Sequence, residues 1–365
     1  MGNKAVLVIK QIILSVFAGI VLAFPISKLN STFLPDNAFK NGTLILAVIV
    51  FCLATVLPFV VGYRVKDASK DIAIVDTCHQ ILIFGIALNL FKWSFLKFFN
   101  LHLTTSLVVL DMPLSMVSGR AQMSHFFGQS QLLKTSLGIV ESLTAVLVLY
   151  KITRLMGAGL VLVIMTNIIL LDIVYSVSGP VSEAALILIA ALYLVWLERE
   201  RLFNITSTSV SIGGVNPFER VNIPFIAKAV AILIPFMFLA PQAQQKTRTG
   251  ITGKYKIQSD LTAIPLFKDA STGSSIAYLY FDFGDKLVLT SKDYTRQLTG
   301  TLTFSKETNN FTCTWDGNHK NISSFEGEFI KSGLDYQSLL LIKGERSDYE
   351  IGLKRVAVKG LNRIY

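Results

Sequence analysis

Residues 44–63 read LILAVIVFCLATVLPFVVGY, an unbroken run without a charge, closed by Arg64. A helix needs about 20 apolar residues to cross the hydrocarbon core of a bilayer, because each residue advances it by only about 1.5 Å. A helix on the surface of a soluble domain keeps one polar face, and this stretch has none. It predicts a membrane-spanning helix.

The same character recurs at Val6–Pro25, His79–Phe99, Leu132–Tyr150, Leu155–Tyr175, Val181–Leu197 and Ile223–Ala240, which makes about seven transmembrane helices. Lys92 and Lys97 interrupt the third of these seven. Lys4 gives the first span the look of a signal peptide. Its apolar stretch exceeds a typical h-region and no small-x-small site follows, so an anchor is expected. Composition agrees: 52% of the 365 residues are hydrophobic, 16% are charged, and the mean hydropathy is +0.55. A soluble domain carries about 25% charged residues.

The net charge is +10, and residues 246–365 hold 17 Lys/Arg against 13 Asp/Glu. The rest of the excess lies on short loops: Lys4 and Lys10, Arg64 to Lys70, Lys151 and Arg154, and Arg199, Arg201 and Arg220. Every one of these falls on the same side of a seven-span chain. The alternate loops, Lys28–Lys40 with Asp36 and the uncharged Ser176–Pro180, are poorer in net positive charge. The positive-inside rule then puts the N-terminus in the cytoplasm and the C-terminal domain outside. No basic run with an aromatic platform suggests nucleic acid as a partner. Cys52, Cys78 and Cys313 are far apart and form no CxxC pair, which argues against a disulfide framework or a dithiol site.

Beyond about residue 246 the pattern changes to a period of two. Leu298, Gly300, Leu302 and Phe304 alternate with Thr299, Thr301, Thr303 and Ser305; Phe311, Cys313 and Trp315 do the same, as do Tyr349, Ile351 and Leu353. With turn signals at Phe283–Asp285, Asp316–Asn318 and Lys331–Gly333, this predicts a small antiparallel all-β domain, a meander or a small barrel. The expected fold class is a membrane all-α bundle followed by that β-domain.

Five short segments in order carry a resemblance: Asn89–Lys92, Phe126–Ser130, Gly138–Glu141, Thr153–Gly157 and Met165–Asn167, with Leu192–Asn204 as a closing stretch. Together they resemble the DoxX-like family of small membrane proteins, whose pattern runs from a Gly-x-x-Lys helix to a Gly-x-x-Glu helix, a threonine-marked turn and a helix with Asn. Asn89 stands where that pattern usually carries Gly. The resemblance implies a four-helix core over 78–204, and the apolar runs add two helices before it in 1–77. A linker and seventh helix follow in 205–245, then a periplasmic β-domain in 246–365. It also implies a bacterial inner membrane. Some members resemble subunits of quinone-linked oxidoreductases, so a quinone is compatible with the resemblance. The chain itself shows no haem ligation pattern, cluster cysteines or dinucleotide fingerprint.

Ionisable groups inside a bilayer face a cavity, pair with one another, or serve function. By rise along their helices, Lys92, Glu141, Asn167 and Asp172 all fall in the middle or outer half of the membrane. The functional expectation is an outward-opening polar pocket for a quinone or lipid-like molecule, with Lys92 paired to Glu141 and Asp172 near its mouth. The structural alternative is a Lys–Glu pair that fixes helix register. The long outer segment Asn100–Gln131 carries His102, Asp111, Arg120 and His125, and is expected as a lid over the pocket rather than as a metal site, since its spacing matches no metal scheme.

Two functions follow. One is a non-catalytic subunit, not an enzyme on its own, that binds membrane lipid or a quinone and supports a redox or envelope complex. The other is a scaffold that recruits a protein partner in the membrane or periplasm through the β-domain, for example at an exposed sheet edge.

Overall fold

The computed structural model describes residues 2–28, 37–65, 69–199, 223–245, 252–258, 276–282, 285–295, 297–304, 310–315, 325–331, 337–343, 349–356 and 358. The 205–222 linker, the basic residues Lys66, Arg201 and Arg220, and most of the three turn signals lie outside these residues. The chain divides into two compact units: residues 1–102 with 132–242, and residues 103–131 with 243–365.

The first unit is helical: α1 (Gly2–Lys28), α2 (Asn37–Arg64), α3 (Lys70–Phe98), then α6 (Gln131–Leu149), α7 (Arg154–Val174), α8 (Ser178–Leu197) and α9 (Phe225–Gln245). Six of them, α1 to α3 and α6 to α8, are long and apolar enough to cross a membrane. The seventh expected span forms a helix, but its apolar part, Phe225–Pro241, is shorter than those six. Prolines Pro25, Pro58 and Pro235 sit inside helices, as the membrane setting tolerates.

Helix α3 is the centre of this unit. It packs on α1, α2 and α8, while α1 also packs on α2 and α7 on α8. Gly85 lets α1 come close, since a Cβ there would stand 3.1 Å from the Leu22 backbone nitrogen. Around α3 lies a core that includes Leu82, Ile86, Leu90, Val161, Met165 and Ile187. In contrast, α2 exposes Leu44, Ile45, Leu53 and Val56, a surface suited to acyl chains. Helix α3 also starts nine residues before the expected span, at Lys70. Its polar first turns are held against α1, where Gln11 Nε2 donates to Asp71 Oδ1 at 3.0 Å.

The second unit joins a closed antiparallel barrel to the segment between α3 and α6. Strands β1 (Gly253–Ile257), β2 (Ile276–Asp282), β3 (Lys286–Ser291), β4 (Gln297–Phe304), β5 (Asn310–Trp315), β6 (Phe325–Lys331), β7 (Gln337–Lys343) and β8 (Tyr349–Val356) each pair with the next, and β8 closes on β1. The alternation read from sequence is the inward set: Leu298, Leu302, Phe311, Cys313, Ile351 and Leu353 share one core with Tyr255, Leu279 and Phe281. Gly300 is required on that face, because a Cβ would lie 2.7 Å from Cys313 Sγ. Closure pairs the first strand with the last, so the exposed sheet edge expected for partner recruitment is replaced by a continuous ladder.

Helix α4 (Leu107–Asp111), a 3₁₀ turn at Leu114–Met116 and α5 (Gly119–Gly128) make up the inserted segment. Its apolar residues Leu107 and Val108 cover the outer face of the barrel at Tyr280, Val288 and Val358. Two carboxylates hold it there. Asp282 accepts from the Ser106 hydroxyl and from Leu107 N–H at 3.1 Å. Asp111 accepts from Tyr280 O–H and from Lys254 Nζ, both at 2.9 Å. The Lys254 ammonium also lies 4.1 Å from the centre of the Tyr278 ring.

Candidate functional site

Two buried ion pairs radiate from α3. Lys97 Nζ donates to both oxygens of Glu141 on α6, each at 2.7 Å, and Lys92 Nζ donates to Glu183 on α8. All four residues are at most 6% exposed. A buried charge is tolerable only with a well-placed counter-charge, and the two lysines find theirs on different neighbours of one helix.

The local sequence explains the reach. Gly138 sits three residues before Glu141, on the adjoining face of α6; a Cβ there would fall 2.7 Å from the Phe98 ring. The helices approach further through Ser94, whose hydroxyl donates to the Gly138 carbonyl at 2.8 Å and lies 2.5 Å from Ser142 Oγ. Trp93 stands between the two lysines, with its ring centre 4.6 Å from Lys92 Nζ and 5.8 Å from Lys97 Nζ. The ring is also met edge-on by His102 at 5.0 Å. Near the same end of α3, Lys134 Nζ donates to Asn100 Oδ1 at 2.7 Å. A second polar layer lies toward the other end: His79 Nε2 is 3.0 Å from the Tyr193 hydroxyl, and Arg154, fully buried, donates through Nε to the Val148 carbonyl.

The expected Lys92–Glu141 pair is therefore replaced by two others. Five residues separate Lys92 from Lys97, which turns the second side chain by about 140° around the helix. They face different partners, and Glu141 meets Lys97. Glu183 lies in the first turns of the Val181–Leu197 span, where an acid is also accounted for by the helix dipole, so the sequence alone does not mark it as a partner of Lys92. Asn167 is not part of the site. The inward stripe of α7 is Arg154, Gly157, Ala158, Val161, Met165 and Asp172, and Asn167 is about 200° from Met165, on the exposed side. Asp172 is buried on the stripe, and its backbone carbonyl accepts from Val177 N–H at 2.7 Å to close the α7–α8 turn.

The four residues expected on a lid do not act as one group. His102 belongs to the helical unit, while Asp111, Arg120 and His125 belong to the barrel unit. Asp111 is engaged by Lys254 and Tyr280, Arg120 is exposed, and His125 Nε2 is 2.6 Å from Gln129 Nε2. Among the described residues no three His, Cys, Asp or Glu gather as metal ligands.

Chemically, the seam around α3 offers paired charges that cancel, an indole ring and several hydroxyls inside an apolar bundle. Such a setting orients a polar group without demanding charge from it. The chain matches no family model, and comparisons with curated proteins and with solved structures find no match to it.

Proposed function

We propose that this chain is a non-catalytic, multi-pass subunit of a bacterial inner membrane, with a polar pocket along α3 for a quinone or lipid-like molecule. The observation that carries the reading is the pair of buried ion pairs, Lys92–Glu183 and Lys97–Glu141, that join α3 to two different helices of the bundle. Helices α3, α6, α7 and α8 correspond to the DoxX-like four-helix core that the sequence resembles. The complex served is redox-linked or part of the envelope, and any electron carrier belongs to a partner.

Seven spans, a cytoplasmic N-terminus and a periplasmic barrel complete the proposal. The inserted segment precedes α6, and the barrel follows α9, yet the two form one compact unit. A compact unit lies on one side of a bilayer, so the number of crossings between them is even. Helices α6, α7 and α8 supply three, and α9 is then the fourth. Its apolar part spans about 25 Å at about 1.5 Å per residue, which suffices with modest thinning of the bilayer. On a cysteine-free background, Arg120→Cys in the insert and Lys354→Cys in the barrel are expected to react alike with an impermeant maleimide added from outside. Labelling from opposite sides would remove the seventh span.

The pocket is tested by native mass spectrometry of protein drawn gently from its own membrane. A bound quinone or lipid is expected, lost on Glu183→Gln. A stoichiometric protein partner with no small molecule would instead favour the scaffold reading, to which the insert clamped on the barrel by Asp111 and Asp282 lends a firm outer module.

A further inference from the structure

We infer that Asn89 is the recognition group of a buried site for the hydroxyl of a neutral, membrane-soluble molecule, one helical turn from the Lys92–Glu183 pair. The inference rests on the pocket reading and gives it a residue and a ligand class.

Asn89 is 0% exposed, in a stretch of α3 where Leu82, Ile83, Ile86, Leu88, Leu90 and Phe91 are buried as well. Neither its Nδ2 nor its Oδ1 meets a hydrogen-bond partner among the described residues. Other polar side chains buried on this helix are engaged: His79 with Tyr193, Lys92 with Glu183, Ser94 with Gly138 and Lys97 with Glu141. A carboxamide taken from water without a partner costs roughly 2–7 kcal/mol, and bilayer depth supplies no bulk water to offset it. Leucine at this position would avoid that cost.

Placement narrows the ligand. Asn89 lies nine residues before the end of α3, about 14 Å from that end and so near mid-membrane. A molecule dissolved in the bilayer reaches that depth more readily than an ion does. Side chains of a helix lean toward its N-terminus, so the stem of Lys92 leans over the turn that carries Asn89. The Lys92 and Glu183 charges cancel, which gives no net attraction to a charged group. The carboxamide presents donors and an acceptor together. A hydroxyl uses both, whereas a carbonyl uses the donors alone.

Native mass spectrometry of the whole protein from its own membrane, compared with Asn89→Leu and Asn89→Ala, tests the inference. The wild type is expected to carry a neutral molecule bearing a hydroxyl, and each variant to lose at least tenfold in its occupancy. Retention at wild-type occupancy in either folded variant would overturn the role of Asn89 and leave the pocket standing. So would a bound molecule without a hydroxyl. A wild type with no small molecule, together with a higher Tm for Asn89→Leu, would mean that internal water serves the carboxamide, and both readings would fall.

Discussion

Glu141→Ala is expected to destabilise the protein by about 3–5 kcal/mol, because it leaves the Lys97 ammonium buried without its carboxylate. The size of this effect separates it from ordinary interhelical hydrogen bonding, whose mean in a membrane bundle is only about 0.6 kcal/mol. Lys97 is 6% exposed and both Glu141 oxygens bind it at 2.7 Å. Among the described residues it also approaches the Trp93 carbonyl at 3.5 Å and the Trp93 ring at 5.8 Å, too distant to replace two charged bonds. Lys97→Met combined with Glu141→Leu removes both charges and is expected to recover most of the loss, since apolar packing replaces a buried pair at little cost. Reversible unfolding in bicelles measures the single and double variants. A loss below about 1 kcal/mol for Glu141→Ala would mean that Lys97 swings out to the interface, as long basic side chains can. The same comparison at Lys92 and Glu183 tells whether the two pairs act independently.

The order of the helices and the two-part architecture were legible because they depend on periodicity and apolar length, both local properties. Residues 44–63 and the Leu298–Phe304 alternation needed no knowledge of their neighbours. The partners of the buried lysines were harder to read, because pairing depends on which helix faces which side of α3. Lys97 interrupts an apolar span in the sequence, yet it holds Glu141, and Lys92 is held by Glu183, an acid near the start of a different helix. Asn167 shows the complementary limit, since rise along a helix gives only a distance from its end, while the face depends on the angle about the axis. The burial of Gly157, Val161, Met165 and Asp172 defines that face, and helical periodicity along α7 would have excluded Asn167. Closure of the barrel was legible only as one of two outcomes, because the β1–β8 pairing joins residues about a hundred positions apart.

Asp111→Ala is expected to loosen the inserted segment from the barrel and destabilise their shared unit by about 2–3 kcal/mol. The figure is smaller than for Lys97 because the Lys254 ammonium keeps the face of the Tyr278 ring, 4.1 Å away, when the carboxylate is removed. Both partners of the carboxylate suffer. Burial pushes Lys254 toward its neutral form, but the hydrogen bond and charge of Asp111, aided by Tyr294 and Tyr278, more than offset this and hold its pKa above the ordinary value. Burial, reinforced by the hydrogen bond with Tyr294 and the nearby Asp111, pushes the Tyr280 phenol well above its usual range. A lysine with a raised folded pKa stabilises the fold fully below its unfolded pKa of about 10.4, and that contribution fades as pH climbs through the folded value. The clamp is therefore intact at neutral pH and weakens only in strong alkali. Hydrogen exchange at Leu107–Asp111 and at β1 and β2 reports it directly: the wild type is expected to show slow exchange near pH 7, and Asp111→Ala at least tenfold faster exchange. Lys254→Met with Asp111→Leu should restore much of the protection, because α4 keeps its apolar contact with Tyr280 and Val288. Unchanged exchange in Asp111→Ala would place the attachment on that apolar contact and on Asp282, whose bonds to Ser106 and Leu107 remain.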